Sequence, residues 1–110
     1  MSDPRFRPCR YTSEPGVFGK AATIGWCAPT TEQERTQLLA SQIQHAYAVA
    51  IRAAAKKCFG NVKSYATATD ANYQRLAKVL RGEAIMRLED IAAAHLYLGI
   101  PLPHQTRESK

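Results

Sequence analysis

The chain has 110 residues, of which 45% are hydrophobic and 22% are charged, so it is long enough for one domain with a core and too apolar to be wholly disordered. Its formal net charge of +6 favours partners that carry phosphate, anionic lipid or an acidic protein surface. The absence of a secretion signal and of any apolar run of about 18 residues predicts a cytoplasmic protein with no membrane span.

Residues 1–30 are dense in proline and glycine and show no helical period. Aromatic side chains such as Phe18 and Trp26 are scattered through them, so we interpret the segment as a partly ordered N-terminal arm that Trp26 anchors to the folded body. Its arginines suit a segment that follows a groove of DNA, and they equally suit a tether that makes no contact with DNA. The sequence does not distinguish these two roles. The candidates for groove tracking are Arg5, Arg7 and Arg10.

A long helix is predicted to begin at residue 31. Thr31, followed three residues later by Glu34, forms a capping-box pattern, and both acidic residues of "TTEQE" fall in the first turn, where the helix dipole favours them. Apolar residues, Leu39 and Ile43 among them, recur at spacings of three and four, and no helix breaker occurs before Gly60. The pattern predicts a helix of about 28 residues.

Shorter helices are predicted in the second half of the chain. The runs "VKSYATA" and "ANYQRLAKVL" are separated by a break at Thr69 and Asp70, and the second run ends at Gly82. The run "RLEDIAAAHLYLG" ends at Gly99 and Pro101. The predicted fold is all-α, a compact bundle of about five helices containing a helix-turn-helix, with a long leading helix and an irregular arm. The helical domain is assigned to residues 31–102 and a C-terminal tail to residues 103–110.

The break at Thr69 and Asp70 has the form of a helix-turn-helix, in which a first helix braces a second helix that enters the DNA major groove. Such a motif needs a small side chain where the second helix crosses the first, and Ala66 supplies it. Leu76 and Val79, three residues apart, fall on the inward face of the second helix. The polar residues of that helix are left on its outer face.

Residues 51–102 resemble the Cro and phage-repressor family of helix-turn-helix proteins, often called Xre-like. The resemblance rests on "IR" at 51–52, Ala66, Leu76, Val79, "RG" at 81–82, "LEDI" at 88–91 and "LGI" at 98–100. The chain departs from the family pattern at Asp70, where the family usually has Gly, and at Val62, where it usually has Gln.

The resemblance implies a sequence-specific transcriptional regulator, a repressor of phage or mobile-element type. Such a protein would bind double-stranded DNA as a homodimer and read the major groove with the helix Ala71–Leu80. The base-reading residues it implies are Asn72, Tyr73, Gln74 and Arg75, and the phosphate contacts are Lys63, Lys78 and Arg81. Amide side chains suit adenine, and guanidinium groups suit guanine. The alternative interpretation of the same residues is a solvated polar helix face.

A second hypothesis for the function is a protein-interaction module, such as an antitoxin or adaptor, that keeps the helical fold without specific DNA binding. It would bind a protein partner through the N-terminal arm or the long helix. No catalytic arrangement, metal-ligand spacing or CxxC pair is found, so an enzyme, a metal site and a cofactor are not expected. The cysteines and histidines considered are Cys9, Cys27, Cys58, His45, His95 and His104.

Overall fold

The computed structural model describes residues 6–21 and 23–102, and four α-helices form in this part of the chain. They are α1 (Glu32–Phe59), α2 (Val62–Ala68), α3 (Tyr73–Leu80) and α4 (Leu88–Leu98). Two short 3-10 helices, Pro8–Tyr11 and Pro15–Val17, precede them. The described residues form no strand, only an isolated bridge between Thr12 and Trp26. The prediction of a mostly helical fold is confirmed, with four α-helices in the described ranges where about five were expected.

Some sequence predictions fall on residues outside the described ranges. These are the groove-tracking role of Arg5, the C-terminal tail at residues 103–110 and the interpretation of His104. Across residues 6–21 and 23–102, no helix is both long and apolar enough to cross a membrane.

Helix α1 begins and ends where the sequence pattern predicts, and it is 28 residues long. The hydroxyl of Thr31 accepts a hydrogen bond from the backbone N–H of Glu34 at 3.0 Å, which caps the first turn. The Glu34 carboxylate accepts from both the backbone N–H and the hydroxyl of Thr30, each at 2.8 Å, in place of the Thr31 N–H of a standard capping box. These bonds from Thr30 lower the pKa of Glu34. At the other end, Gly60 has a φ of 92° and ends the helix.

The core lies where α1 meets the three shorter helices. Small and branched side chains on one face of α1 are buried against α2, α3 and α4, and large apolar residues of the shorter helices fill the space between them. The main contributors are Ala48, Ile51, Ala55, Tyr65, Ala66, Leu76, Leu80 and Ala94.

The N-terminal segment packs into this core. Phe18 is only 1% exposed, and its ring meets the rings of Trp26 and His45 edge-on, with centroids 6.4 and 5.3 Å away. The backbone N–H of Gly19 donates to Nδ1 of His45 at 2.9 Å, so this side chain of α1 fixes the position of the turn. Trp26 therefore anchors the segment to α1, together with Phe18.

Two glycines permit the close approach of this segment to α3. Gly19 has a φ of 75°, and a Cβ at this position would lie 2.1 Å from the carbonyl oxygen of Leu80. Gly82 has a φ of 78°, and its Cβ would lie 2.9 Å from the backbone nitrogen of Cys9. The Cys9 N–H donates to the Gly82 carbonyl at 2.9 Å. Both positions need glycine for its backbone conformation and for space.

A buried glutamine joins α1 to the connection between α3 and α4. The side-chain N–H groups of Gln44 donate to the carbonyls of Val79 and Ala84 at 2.8 and 2.9 Å. Its side-chain oxygen accepts from the backbone N–H of Met86 at 2.8 Å. Because the amide is buried and uses both its donor and its acceptor groups, it sets the path of the chain that leads from α3 into α4.

Candidate nucleic-acid interface

The turn between α2 and α3 is compact and hydrogen-bonded. The N–H of Ala71 donates to the carbonyl of Ala66 at 2.8 Å, and the N–H of Asp70 donates to the carbonyl of Thr67 at 3.2 Å. Asp70 has a φ of 60°, so it occupies the left-handed region. This is the Schellman arrangement, with aspartate at the position that glycine most often takes. Aspartate tolerates this conformation better than most residues, so the tight turn forms without glycine.

Helices α2 and α3 contact each other through small and apolar side chains. Ala66 is completely buried, and Leu76 and Val79 are buried on the inward face of α3, as the sequence predicts. The Asn72 side-chain oxygen accepts from the backbone N–H of Arg75 at 3.0 Å and so caps α3. The inward face of α3 is therefore fixed, and the direction of its outer face follows from it.

The outer face of α3 carries most of the residues implied as DNA contacts. Asn72, Tyr73, Gln74 and Lys78 are all exposed there. Gln74 and Lys78 lie one helical turn apart, so their side chains share one strip of surface. The oxygen of Asn72 is engaged in the cap, which leaves its side-chain N–H₂ group as the polar group that faces outward.

Arg75 lies apart from this strip. Its guanidinium group donates to the carboxylate of Asp90 in α4, and the two side chains are 32% and 10% exposed. The structure thus places Arg75 at the junction of α3 and α4, and Asp90 holds the group that was expected to read a base. The sequence signal for Asp90 was its place in the first turn of a helix, which gave no indication of its partner.

The basic residues at the end of α3 surround one carboxylate. Arg81 donates from Nε to Glu83 at 3.0 Å, and this hydrogen bond, with the nearby positive charges of Arg81, Arg7 and Lys78, lowers the pKa of Glu83. The same hydrogen bond raises the pKa of Arg81. The hydrogen bond from Cys9 to Gly82 brings the part of the N-terminal segment that carries Arg7 to the chain next to Glu83. The sequence indicated these basic residues separately and did not predict that all three act on Glu83.

The other residues expected to contact DNA lie outside α3. Lys63 is exposed in the first turn of α2, and Arg10 is exposed at the end of the first 3-10 helix. In the described ranges no group of three or more His, Cys, Asp or Glu side chains is arranged to hold a metal ion. The described cysteines are free thiols, and burial raises the pKa of Cys9.

Comparisons with protein-family models, with characterised proteins and with solved structures found no match for this chain.

Proposed function

We propose that this protein is a sequence-specific DNA-binding regulator of transcription, a repressor in type, in which α2, the turn at Asp70 and α3 act as a helix-turn-helix. The observation that carries the proposal is the outer face of α3. It presents Tyr73, Gln74 and Lys78 to solvent, while Leu76 and Val79 fix its inward face against the core. A short, well-positioned helix with exposed amide, phenol and ammonium groups suits the major groove.

In this proposal some of the polar side chains contact bases and the others contact phosphates. Gln74 is the best placed to pair with the edge of an adenine, because its amide has both a donor and an acceptor and is free of the hydrogen bond that engages Asn72. Tyr73 and Asn72 flank it. Lys63, Lys78 and Arg81 supply phosphate contacts, which orient the protein without reading sequence.

Arg75 has a different role in this proposal. To read a guanine it would have to exchange the Asp90 carboxylate for the base, which would leave Asp90 buried without its partner. We therefore assign Arg75 to holding α3 against α4. Arg7, whose positive charge acts on Glu83 just after α3, takes a phosphate contact close to the end of that helix.

The net charge supports the same function. At +6 the chain attracts a polyanion over a long range, and each phosphate contact would release a condensed counterion from DNA. Affinity should therefore fall steeply as salt concentration rises. One α3 covers only a few base pairs, so we also propose that two copies bind one operator.

The experiment that tests the function starts with selection of bound duplexes from a random pool, followed by gel-shift titration of the selected duplex against a scrambled one at two salt concentrations. The proposal expects salt-sensitive binding with a clear preference for the selected duplex. Equal affinity for both duplexes, or no shift even at low salt, would contradict it.

A protein-interaction module is the second candidate, and one observation favours it. Leu39 and Ile43 on α1 are 58% and 49% exposed, four residues apart on one strip of the helix. Paired apolar residues on a helix surface are typical of a face that binds a partner. A protein partner would be the main ligand if the gel shift shows no DNA binding, and the same face suits a second copy of the chain if it does.

A further inference from the structure

Lys20 is a cation of the N-terminal segment that the resemblance does not implicate, and the structure holds its backbone at the end of α3. Its N–H donates to the carbonyl of Val17 at 3.0 Å. The preceding residue, Gly19, donates to His45 at 2.9 Å and lies so close to the Leu80 carbonyl oxygen that a Cβ would be 2.1 Å from it. Lys20 therefore has a fixed position beside the last residue of α3, and it does not belong to a loose tether.

A cavity joins Lys20 to the residues that follow α3. Its volume is about 220 Å³, and its walls include Lys20 from the turn and both Arg81 and Glu83 from the chain after α3. Cys9 also lines it, and the hydrogen bond of 2.9 Å from the Cys9 N–H to the Gly82 carbonyl holds the two sides together. Lys20 and Arg81 thus border one cavity, although they are far apart in the sequence.

Lys20 is the cation at this cavity that has no carboxylate partner in the described ranges. Arg81 donates to both oxygens of Glu83, from Nε at 3.0 Å and from Nη2 at 3.2 Å, so the charges of these two residues offset each other. Lys20 is exposed, and its side chain has no ion pair or hydrogen bond in the described part of the chain. Its ammonium group keeps three donors for an anion from outside the protein.

The face of α3 proposed for the major groove leads to this cavity. Gln74, Lys78 and Arg81 follow one another at spacings of four and three, so they lie along one strip of the helix surface. Arg81 keeps the helical backbone conformation at the C-cap, so the spacing still applies to it. Because Arg81 ends the strip and borders the cavity, Lys20 adds a cation at the end of this strip from another part of the chain.

We propose that Lys20 binds a backbone phosphate of DNA and that the turn at residues 18–20 belongs to the DNA-binding surface. This inference rests on the proposed function. A phosphate of DNA is a better candidate than a free phosphate inside the cavity, because the Glu83 carboxylate lines the cavity and repels a free anion. The flexible stem of an exposed lysine reaches a phosphate at the edge of the major groove without the anion entering the cavity.

The test removes the charge of Lys20. Lys20→Gln should weaken binding to the selected and the scrambled duplex by the same factor, roughly five- to tenfold, and should lower the slope of log affinity against log salt by about one. Lys20→Arg should keep both quantities close to those of the parent, because a guanidinium group also donates to phosphate oxygens. Both variants should melt like the parent, since the exposed side chain makes no bond within the described part of the protein.

Two control variants remove one positive charge elsewhere. Arg10 belongs to the same N-terminal segment but lines a separate cleft beside the start of α1. Arg35 pairs with the exposed Glu32 on the first turns of α1. Arg10→Gln and Arg35→Gln should keep the affinity and the salt slope of the parent. Losses equal to that of Lys20→Gln would show that net charge sets the affinity, and they would overturn the contact.

A second measurement locates the contact on the DNA. It uses copies of the selected duplex that each carry one neutral methylphosphonate in place of a phosphate. At one position the substitution should weaken binding of the parent and cause no further loss in Lys20→Gln, because the lysine and that phosphate form the same contact. Losses that add to the effect of Lys20→Gln at every position would overturn the proposal.

The outcomes separate this inference from the proposed function. Parent affinity and salt slope in Lys20→Gln would overturn the inference and leave the proposed function intact. If the parent binds no duplex even at low salt, the proposed function fails and the inference fails with it. If millimolar inorganic phosphate raises the melting temperature of the parent but not of Lys20→Gln, while both bind DNA equally, Lys20 binds a free anion and the inference is wrong.

Discussion

Arg75 in α3 and Asp90 in α4 form an ion pair, and the second carboxylate oxygen of Asp90 accepts from the backbone N–H of Arg87 at 2.8 Å. One carboxylate therefore joins the two helices and caps the start of α4. This contact holds α3 in its orientation against α4. The position of the outer face depends on it, even though neither residue of the pair lies on that face.

Replacing Arg75 tests whether the pair braces α3. Arg75→Ala should lower the free energy of unfolding by about 1 to 2 kcal/mol, because Asp90 loses a charged hydrogen-bond partner in a partly buried site. DNA affinity should fall by a similar factor for the selected and the scrambled duplex. Thermal melting and anisotropy titrations measure the two effects.

The matched change to the other residue of the pair is Asp90→Asn. It should lower the free energy of unfolding by a similar amount, because it weakens the same contact with Arg75. Loss of preference for one base pair in Arg75→Ala, with the melting temperature unchanged, would show instead that Arg75 reads a base.

Gly19 tests the contact between the N-terminal segment and α3. Gly19→Ala should lower stability by at least about 2 kcal/mol, since the residue has a positive φ and its new Cβ would overlap the Leu80 carbonyl. Limited proteolysis should then cut the segment near residues 13–25 sooner than in the parent. Gly16→Ala is the control, because a Cβ there meets nothing within 4 Å. Equal melting of the two variants would mean that the segment does not pack as described.

Ala66 tests the crossing of α2 and α3. Ala66→Leu should destabilise the protein by about 1 to 3 kcal/mol, because the added side chain has no space at a fully buried position. The DNA affinity and the melting temperature should fall together. Ala68→Leu, at an exposed position of the same helix, should change stability by about 0.5 kcal/mol or less. If Ala66→Leu melts and binds like the parent, the helices do not cross there.

Local signals explain why most helix boundaries were predictable. The cap at Thr31 and the positive-φ residue Gly60 lie at the two ends of α1, and Gly82 and Gly99 likewise follow α3 and α4. Each signal depends on a few neighbouring residues and on backbone geometry, so it is visible in the sequence. The inward positions of Leu76 and Val79 followed from helical spacing in the same way.

Contacts between distant residues were not predictable. The N-terminal segment has no period, so nothing in the sequence indicated that His45 would accept a hydrogen bond from Gly19 or that Cys9 would meet Gly82. The same applies to the contacts of the candidate DNA-binding helix. Spacing placed Arg75 off the apolar stripe of α3, but the packing of α4 decides that Asp90 pairs with it. A single helix pattern carries no information about such neighbours.

Assembly on DNA makes a separate prediction. We expect two chains on a palindromic duplex with half-sites about 34 Å apart, joined through Leu39 and Ile43. The N-terminal segment packs on the His45 side of α1 and leaves these two residues exposed. Light scattering of Leu39→Glu combined with Ile43→Glu should show one chain per duplex at concentrations where the parent binds as two.

Helix α4 offers the comparison surface for the dimer. Leu88 at its first residue and Leu96 near its end are 83% and 74% exposed. Leu88→Glu combined with Leu96→Glu should keep two chains on the duplex. If the α4 double variant binds as one chain per duplex and the α1 double variant binds as two, the interface lies on α4. One chain per duplex in the saturated complex of the parent protein would exclude the dimer.

The most direct measurement is the affinity of the parent and of Gln74→Ala for the selected duplex and for every single base-pair change within it. The parent should discriminate at one A·T pair by about 1 to 3 kcal/mol, and Gln74→Ala should lose discrimination at that pair alone while melting like the parent. Arg35→Gln should keep the parent's discrimination at every position. A uniform loss over all duplexes in Gln74→Ala, or a parent protein that does not distinguish the duplexes at all, would contradict reading of the major groove by α3.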